Sequence, residues 1–371
     1  MRNADLRALV DRFAQSRIAL VGDLVADEYL YGETDRISRE APVLIVRYEE
    51  SELRLGCAAN AAANVAALGA SVLPIGLVGD DGIGERLRGM LRGVGADPEG
   101  VLVAGGRPTA TKTRILAGGK NTRRQQMLRI DRDGPGAVPT ALLGKLLRAL
   151  KEAAEQSDAI LVSDYGLGTL CEPVVETLLR LAAQGKPVCV DARYGIAQYR
   201  GVAIAKPNEV ELEQAVGRPL GGDPGALEEA GRELLRGCRA KALLVTRGRA
   251  GMMLLRANGP TAVLPAHGSS NAVDVTGAGD TVIATVTVAL AAGADPVQAA
   301  RIANVAGSLV ILKTGTATVS PAELHRELSR TDVAQPEMTE RSDDGSRGSP
   351  AADRGGAGGR QRRPPDMKVR R

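Results

Sequence analysis

Aromatic residues are nearly missing from this chain of 371 residues. It contains no tryptophan, six tyrosines and a single phenylalanine, Phe13, so aromatic residues make up 2% of the sequence. Proteins that bind single-stranded nucleic acid usually stack bases on aromatic side chains and present a basic face. The formal net charge is only +4, and no basic face is visible in the sequence. The composition therefore argues against nucleic-acid binding, and Ala, Val, Leu and Gly must fill the interior.

Metal-ligating and disulfide-forming residues are also scarce. The chain has four cysteines and two histidines, and no pair of cysteines has the spacing of a zinc site. Scattered cysteines are typical of reduced thiols in a cytosolic protein. No apolar run reaches membrane-spanning length without interruption, and Leu6, Leu9 and Phe13 indicate an amphipathic helix rather than a signal peptide. We therefore expect a soluble, cytoplasmic protein that does not contact a membrane.

Short apolar runs alternate with amphipathic helices along most of the chain. Residues 18–21, 159–163 and 242–246 are typical of buried strands, and helical patterns lie between such runs. This rhythm predicts an α/β fold with a doubly wound, mostly parallel sheet flanked by helices. Sheets of this kind bind ligands at the C-terminal ends of their strands. Six polar residues follow predicted strands: Asp23, Asp80, Asp164, Asp191, Asn208 and Arg247.

Two internal segments and the end of the chain do not show this alternation of strands and helices. Residues 24–55 and 105–131 place charges between apolar residues, as half-exposed strands do, and Gly118-Gly119-Lys120-Asn121 is typical of a hairpin turn. These segments predict a small β-sheet that acts as a lid. From residue 331 onward Gly, Ser, Pro and charges dominate, which is typical of disorder. We predict one domain over residues 1–330 and a disordered tail over residues 331–371.

The segment Asp274-Val275-Thr276-Gly277-Ala278-Gly279-Asp280 carries the clearest functional pattern. It directly precedes an apolar run, residues 281–292, that predicts a buried helix. A helix N-terminus offers N–H groups and a positive dipole to a phosphate, and Asp280 is placed to take a proton from an attacking hydroxyl. An ordinary glycine-rich loop with an N-terminal carboxylate explains the spacing equally well. The spacing alone leaves both interpretations open.

Together with three other segments, this one resembles the PfkB (ribokinase-like) family of sugar kinases over residues 17–330. The family's second signature is similar to residues 274–280 and its first to Gly56-Cys57-Ala58-Ala59-Asn60. Its Asn-x-x-Glu element is similar to Asn208-Glu209-Val210-Glu211, and its strand-end turn beside the nucleotide to Thr246-Arg247-Gly248 with Gly251. The resemblance implies a ribokinase-like fold and a kinase that uses ATP and Mg²⁺. It also implies a homodimer formed through the lid.

The same resemblance assigns roles to individual residues. Asp280 would be the catalytic base, and the N–H groups of Gly277, Ala278 and Gly279 would form the anion hole. The implied sugar-binding residues are Asp23, Asp27, Gly56, Asn60, Lys112, Arg129 and Asp164. The implied nucleotide-binding residues are Asn208, Glu209, Glu211, Thr246, Gly248, Gly251 and Asn304. Glu211 would organise Mg²⁺ through the phosphates, and Asp274 and Thr276 would border a monovalent cation site, so that K⁺ is expected to stimulate the enzyme.

Within the family, the chain is most similar to the branch that phosphorylates O1 of D-glycero-D-manno-heptose 7-phosphate. This similarity lies in six segments: residues 21–27, 31–32, 36–43, 125–131, 313–316 and 319–321. It implies a sugar phosphate and ATP as the small-molecule partners. Lys112, Arg114 and Arg129 lie on the lid segments, where they are placed to bind an acceptor phosphate. A solvated charge on the lid explains each of these residues equally well.

Three departures from the family pattern keep other functions open. Cys57 replaces a glycine of the first signature, Leu167 replaces a lysine, and Arg193 stands where the heptose branch has lysine. A kinase for an unphosphorylated sugar or nucleoside is one alternative, and a catalytically silent sensor of sugars or nucleotides is another. A nicotinamide-dependent oxidoreductase is disfavoured because no Gly-x-Gly-x-x-Gly turn follows the first strand. The chain also has no His-x-Gly-His motif, so we expect no nucleotidyltransferase activity.

Overall fold

The computed structural model describes residues 3–119, 123–134, 137–268, 272–330 and 334–339. In chain order, the strands within these ranges are β1 (Arg17–Gly22), β2 (Leu24–Ile37), β3 (Leu44–Cys57), β4 (Ser71–Gly79), β5 (Val101–Ala104), β6 (Thr111–Gly118), β7 (Gln125–Arg132), β8 (Ala159–Asp164), β9 (Val188–Ala192), β10 (Ile204–Ala205), β11 (Ala242–Thr246), β12 (Met252–Arg256), β13 (Thr261–Leu264) and β14 (Glu337–Thr339). The α-helices are α1 (Asn3–Val10), α2 (Ala58–Ala67), α3 (Gly82–Gly93), α4 (Thr140–Gln156), α5 (Glu172–Ala183), α6 (Glu209–Val216), α7 (Pro224–Cys238), α8 (Ala278–Ala291), α9 (Pro296–Val310) and α10 (Pro321–Arg330).

A ten-stranded sheet runs through the molecule in the order β14-β13-β12-β11-β10-β9-β8-β1-β4-β5. The strands from β11 to β5 pair in parallel. The remaining strands, β12, β13 and β14, extend the sheet with antiparallel pairings. The C-terminal ends of the parallel strands therefore meet along one edge, and the loops that follow β1, β8, β9 and β10 lie close together there.

Helices cover both faces of this sheet. Along β1, Ile18 and Leu20 pack in one core with residues of α1, α2, α8 and α9, whereas Ala19 and Val21 pack in a second core with residues of α4, α5 and α7. Successive side chains of a strand point to opposite faces, so a strand that is buried on both faces is apolar at every position. The uniform apolar run at residues 18–21 has this cause. The predicted α/β fold with helices on both faces is confirmed.

A second sheet, the lid sheet, has the order β3-β2-β6-β7. β2 pairs with β3 antiparallel and with β6 in parallel, and β6 pairs with β7 antiparallel. Only Asp23 separates β1 from β2, and α2 begins directly after β3, so the lid sheet is joined to the main sheet at the ligand-binding edge. The predicted small sheet is therefore present. The predicted hairpin turn at residues 118–121 lies partly outside the described residues.

The end of the chain differs from the prediction at one point. α10 ends at Arg330, close to the expected boundary, but Glu337–Thr339 forms the short edge strand β14 and pairs with β13. A strand of three exposed residues is held mainly by backbone hydrogen bonds, which leave no apolar pattern in the sequence. The placement of all of residues 331–371 in a disordered tail is therefore corrected for this strand. Among the described residues, no helix is long and apolar enough to cross a membrane.

Candidate active site

The loop that leads into α8 is held in place by Asp274. Its Oδ1 accepts a hydrogen bond from the Thr276 N–H at 2.9 Å, and its Oδ2 accepts one from the Gly315 N–H at 2.9 Å. Burial raises the pKa of Asp274, but these hydrogen bonds outweigh it and the pKa lies below its ordinary value. Both oxygens of the carboxylate therefore serve to shape the loop.

Gly277 forms the N-cap of α8 with a φ of 77°. This left-handed conformation is one that residues with a Cβ rarely adopt, and a Cβ at this position would lie 2.6 Å from Asn60 Nδ2. The Ala278 N–H is already used within the turn, where it donates to the Val275 carbonyl at 3.2 Å. The glycine thus allows the chain to turn tightly over Asn60 before the helix begins.

Asp280 lies in the first turn of α8 and is 5% exposed. Asn60 Nδ2 donates to its Oδ2 at 2.7 Å, and Tyr165 Oη donates to its Oδ1 at 3.0 Å. Burial raises the pKa of Asp280 to about 6, and the two hydrogen bonds limit this rise. The carboxylate is therefore ionised near neutral pH and is basic enough to accept a proton.

Asn60 is itself oriented by its neighbours in the buried space between α2 and α8. Asn64 Nδ2 donates to the Asn60 carbonyl oxygen at 2.9 Å, and Thr281 Oγ1 donates to Asn64 Oδ1 at 2.7 Å. Asn64 Nδ2 also donates to Asn60 Oδ1 at 3.3 Å, so the side-chain amide of Asn60 is oriented with its N–H toward Asp280. Asn60 was predicted to bind sugar hydroxyls, and in this structure its amide holds the carboxylate of Asp280.

Sequence analysis missed a buried ion pair beside the same loop. Lys206, directly after β10, is 3% exposed, and its Nζ lies 3.1 Å from Asp191 Oδ2 at the end of β9. Burial raises the pKa of Asp191 to about 7, and Lys206 limits the rise. A Cβ at Gly279 would lie 3.5 Å from Lys206 Nζ. The structure therefore places a buried ammonium group beside Gly279, at the N-terminus of α8.

A cavity of about 440 Å³ opens between the main sheet and the lid sheet. Asp280, Gly277 and Thr276 line it from the loop, and Asp27, Lys112, Arg114 and Arg129 line it from the lid sheet. Arg193, Leu167 and Cys57, the three departures from the family pattern, also line it. The structure thus brings the predicted base, Asp280, into one cavity with four cationic side chains, three of which come from the lid sheet.

The cations of this cavity differ in how they are paired. Arg114 Nη1 donates to Asp27 Oδ1 at 2.7 Å, Arg129 pairs with Asp131 at 2.8 Å, and Lys112 Nζ donates to Cys57 Sγ at 3.1 Å. The exposed guanidinium of Arg193 has no side-chain hydrogen bond or ion pair with any described residue. Among these four cations, Arg193 is therefore the one without a described side-chain partner.

Two predicted sugar-binding carboxylates are turned away from this cavity. Asp23 is 2% exposed, and its oxygens accept hydrogen bonds from the backbone N–H groups of Tyr165, Leu167 and Thr169. Asp164 accepts bonds from the Gly166 N–H and the Tyr199 hydroxyl. Neither lines the cavity. In this structure both carboxylates hold the loop after β8.

The first signature has a tight conformation at the point where the lid sheet meets α2. A Cβ on Gly56 would lie 2.8 Å from the Asp27 carboxylate, so the absence of a side chain at Gly56 makes room for Asp27. Cys57, which replaces the second glycine, has a φ of 52°, a conformation that is unusual for a residue with a Cβ. The backbone thus keeps the conformation that suits glycine although the side chain has changed. Burial raises the pKa of the Cys57 thiol to about 12.

A larger cavity of about 680 Å³ lies on the other side of the loop. The predicted nucleotide-binding residues Asn208, Thr246, Gly248, Gly251 and Asn304 all line it. Gly251 has a φ of 84°, and a Cβ there would collide with the backbone of residues 264–266. Most of the remaining lining is apolar, which suits the base and ribose of a nucleotide.

The two predicted acidic nucleotide-site residues hold local structure. Glu209 pairs with Arg247 at 3.2 Å. Glu211 forms a capping box with Asn208 at the start of α6, with one oxygen accepting the Asn208 N–H at 2.9 Å. No group of three or more metal-ligating side chains occurs in the described part of the chain. Mg²⁺ in kinases is bound mainly by phosphates, water and one or two carboxylates, so Glu211 fits the donor set that such an ion needs.

Both cavities meet at the N-terminus of α8. Thr276, Gly277 and Asp280 line the smaller cavity, whereas Ala278 and Gly279 line the larger one. A phosphoryl donor in the larger cavity and a hydroxyl acceptor in the smaller one would face each other across this turn. The N–H groups, the helix dipole, the buried ammonium and the carboxylate all lie at that junction.

Comparisons with known proteins agree with this geometry. The sequence model of the pfkB family carbohydrate kinases matches residues 15–323. The chain is 39% identical over 329 residues to bifunctional protein HldE of Desulfatibacillum aliphaticivorans. The aligned region covers 88% of this chain and 65% of that protein. It is 42% identical over 319 residues to bifunctional protein HldE of Caulobacter vibrioides, covering 84% and 63% of the two chains. The chain thus spans about two thirds of the length of these relatives.

Solved structures share the fold. The ribokinase of Arabidopsis thaliana, solved with ribose and ATP, superposes with a TM-score of 0.68 at 20% identity, covering 85% of this chain and 99% of that one. Phosphofructokinase-2 of Escherichia coli, solved with substrates and products, gives a TM-score of 0.67 at 19% identity, covering 85% and 98%. At these identities the likeness establishes the ribokinase-like fold.

The family match identifies the class of this protein as a phosphotransferase. The family match covers most of the chain. The chain belongs to the pfkB family of carbohydrate kinases, whose members in general use ATP and Mg²⁺.

Proposed function

We propose that this protein transfers the γ-phosphoryl group of ATP to O1 of D-glycero-D-manno-heptose 7-phosphate. The observation that carries the transfer itself is the shared loop: Gly279 lines the larger cavity and Asp280 the smaller one. ATP would place its base and ribose in the larger cavity and its phosphates at the N-terminus of α8. The sugar would lie beneath the lid sheet with its acceptor hydroxyl at Asp280.

Asp280 acts on the acceptor hydroxyl. Its carboxylate is buried and ionised near neutral pH because its pKa is about 6, so it can orient the hydroxyl and accept its proton as the oxygen attacks. The N–H groups at Gly277 and Gly279 and the ammonium of Lys206 stabilise negative charge on the transferred group. Lys206 provides this cation beside Gly279, whereas Arg193 lines the smaller cavity together with Leu167, which has replaced a lysine. Mg²⁺, when bound, neutralises phosphate charge.

The acceptor phosphate is assigned to Arg193. Arg193 is an exposed residue that lines the smaller cavity and has no described side-chain partner, whereas Arg114 and Arg129 are each paired with a carboxylate. A guanidinium binds phosphate through paired N–H groups. A sugar phosphate that binds with its reactive hydroxyl toward Asp280 therefore has in the same cavity a cation without a described side-chain partner.

One observation favours a kinase for an unphosphorylated sugar. Leu167 lines the smaller cavity, where the family pattern has lysine, and an apolar side chain contributes nothing to phosphate binding. ADP release separates the two functions when purified protein is given ATP, Mg²⁺ and, in parallel, heptose 7-phosphate, the unphosphorylated heptose or ribose. Turnover confined to the phosphorylated heptose supports the proposal, and turnover with the unphosphorylated sugars alone overturns it. The prediction that no nucleotidyl transfer occurs stays a prediction.

The monovalent cation site is also part of the proposal. Asp274 and Thr276 shape the loop that lines the smaller cavity, so a K⁺ ion bound beside it would stiffen the anion-binding turn. Comparing turnover in KCl with turnover in tetramethylammonium chloride at equal ionic strength tests this. Equal rates in the two salts contradict a K⁺ site.

A second copy of this chain is proposed to cover the outer face of the lid sheet. Several large apolar side chains are at least half exposed on β2, on β3 and on β7: Ile37 (64%), Leu44 (50%), Tyr48 (63%), Leu128 (55%) and Ile130 (51%). Apolar surface of this kind on a lid is consistent with a self-complementary dimer. Sedimentation velocity of the wild type and of Leu128→Glu tests it: a dimer that dissociates in the variant supports the proposal, and a monomeric wild type refutes it.

A further inference from the structure

Tyr165, in the loop after β8, is held at three separate points. Its backbone N–H donates to Asp23 Oδ2 at 2.9 Å, and its hydroxyl donates to Asp280 Oδ1 at 3.0 Å. The ammonium of Lys112, from β6 of the lid sheet, lies 4.8 Å from the centre of the tyrosine ring. One side chain therefore touches the loop after β8, the carboxylate at the start of α8 and the lid sheet. The Asp23 carboxylate does not line the smaller cavity, but it holds the backbone of Tyr165 in place.

The two oxygens of Asp280 are held from opposite sides. Asn60, from α2, binds Oδ2, and Tyr165 binds Oδ1. A carboxylate that receives one donor on each oxygen has its plane and rotation fixed, while each oxygen keeps a lone pair for a further donor. That remaining lone pair is where the hydroxyl of an acceptor can donate. Rotation of the carboxyl group about its bond to Cβ would break at least one of these bonds.

We propose that Tyr165 is a positioning residue for the phosphoryl transfer: its hydroxyl orients the Asp280 carboxylate and favours its ionised form. A hydrogen bond donated to a carboxylate stabilises the charged form over the neutral one. A phenol is suited to this task because it donates one proton and stays protonated in this position, where burial raises the pKa of Tyr165 well above its ordinary value. The inference deepens the proposed function because it concerns the base of that reaction.

Other titratable and charged groups lie near Asp280, and a variant that tests its pKa must leave them unchanged. Those that face it come from the lid sheet, from the end of β3, from the loop after β8 and from the ends of β9 and β10: Asp27, Cys57, Tyr165, Asp191 and Lys206. Replacing Tyr165 by phenylalanine removes one oxygen atom and leaves the ring under Lys112. The charged groups around Asp280 stay the same, so a change in its titration reports the lost hydrogen bond.

The contact with Lys112 extends the inference to the lid. An ammonium over an aromatic ring is attracted to it, and Lys112 also donates to Cys57 Sγ at the base of the lid sheet. With the lid sheet in this position, the ammonium of Lys112 contacts the ring of Tyr165, whose hydroxyl binds Asp280. Lid position and carboxylate orientation are thereby linked through Tyr165.

The experiment measures Asp280 directly, without any substrate. In protein labelled with ¹³C-aspartate, the carboxyl signal of Asp280 is assigned by its loss in Asp280→Asn, and its titration is followed in the wild type and in Tyr165→Phe. We expect the midpoint to rise in Tyr165→Phe by roughly one pH unit, the scale of one hydrogen bond to a charged group. The acid limb of the kcat/KM profile, with whichever acceptor is turned over, should shift by the same amount. At pH values below that limb, the variant should be about tenfold slower.

Tyr199→Phe is the matched control. Tyr199 donates its hydroxyl to Asp164 Oδ2 at 2.6 Å and is fully buried, so this variant also loses a buried bond from tyrosine to aspartate. Its stability should fall, while the Asp280 titration and the acid limb should stay at their wild-type positions. A wild-type Asp280 titration in Tyr165→Phe overturns the inference, and so does a shift of equal size in Tyr199→Phe. A shifted titration in Tyr165→Phe without turnover of heptose 7-phosphate supports the positioning role and rejects the proposed acceptor, which separates the two failures.

Discussion

The two cavities that meet at α8 differ in the charge of the side chains that line them. Among the described lining residues, the larger cavity has one permanently charged side chain, Arg249, and several glycines, whereas the smaller one has eight charged residues. No described residue of the lid sheet lines the larger cavity. The smaller one takes Asp27, Lys112, Arg114 and Arg129 from the lid sheet.

This difference indicates how the work of the site is divided. A cavity shaped by backbone and small apolar side chains recognises shape, and few substitutions in it change charge. A cavity lined by paired charges recognises the hydroxyl and phosphate groups of its ligand, and its specificity changes when one charge is replaced. We therefore expect substitutions in the smaller cavity to change which acceptor is used, and expect ATP binding in the larger cavity to depend less on individual charges.

The largest effect should come from the junction that serves both cavities. Asp280→Asn removes the proton acceptor but keeps the size of the side chain, and kcat should fall by about 100-fold or more. The KM for ATP should change little because the larger cavity is not lined by Asp280. Steady-state kinetics of ADP release measure both quantities.

Asp295→Asn is the control for this variant. Asp295 also stands at the start of a helix, where its side chain accepts bonds from the N–H groups of Val297 and Gln298, and asparagine caps helices about as well as aspartate. Its kcat should match that of the wild type. If Asp280→Asn keeps the wild-type kcat, Asp280 has no role in proton transfer.

The comparison becomes sharper when one charge of the smaller cavity is removed. Arg193→Ala should raise the KM for a phosphorylated acceptor by about tenfold or more, because a charge-assisted hydrogen bond contributes roughly 1.5–3 kcal/mol. The KM for ATP should stay the same. Arg200→Ala, an exposed arginine that lines neither cavity, is the control. An equal loss for phosphorylated and unphosphorylated sugars would show that Arg193 does not bind the phosphate.

The sequence predicts the parts of this fold that have a strong local pattern. The apolar run at residues 18–21 indicates β1, and the interleaved charges of residues 24–55 indicate the lid sheet. The antiparallel strand Thr261–Leu264 has only four residues, and its pairing with β12 depends on long-range backbone bonds that local periodicity does not report. The same cause hides β14.

The site is predicted unevenly for a related reason. Asp280 and the loop before it stand out because glycines and carboxylates precede an apolar helix. Lys206 also follows a strand, but lysine is nearly always exposed, so its burial against Asp191 appears only when β9 and β10 are side by side. Asp23 is the opposite case: the sequence predicts that this polar residue at a strand end contacts a ligand, and in this structure its carboxylate accepts backbone N–H groups from the loop after β8.

The pH dependence of rate and of stability should run in opposite directions. The folded-state pKa of Asp280, about 6, is higher than its ordinary value because of burial. Above pH 6 the base is ionised and the rate is level, and below it the rate should fall by up to about tenfold per pH unit. The folded state binds this proton more tightly than the unfolded state does, so the contribution of Asp280 to stability should improve as the pH falls from about 6 to about 4.

Thermal unfolding and kcat/KM over this pH range measure the two slopes, and the comparison of wild type with Asp280→Asn isolates the contribution of this carboxyl group. The variant should lack the part of the stability slope that the wild type shows between pH 4 and 6. Identical stability profiles for the two proteins would contradict a raised pKa of Asp280.

The smallest expected effect tests whether backbone shape alone governs the larger cavity. Gly248 and Gly251 lie in one turn and both have positive φ values, 51° and 84°. A Cβ on Gly248 meets nothing within 4 Å, whereas one on Gly251 meets the backbone of residues 264–266. Gly248→Ala should therefore cost only the strain of a left-handed conformation, roughly 1–2 kcal/mol of stability.

Gly251→Ala must in addition displace the backbone that forms the cavity wall, so it should raise the KM for ATP severalfold while the KM for the acceptor stays constant. Kinetics of the two variants with each substrate varied in turn provide the measurement, and Gly248→Ala controls for strain without displacement. If Gly251→Ala weakens the acceptor as much as ATP, the two cavities are not independent. The contrast between a cavity shaped by backbone and one lined by charges would then fail.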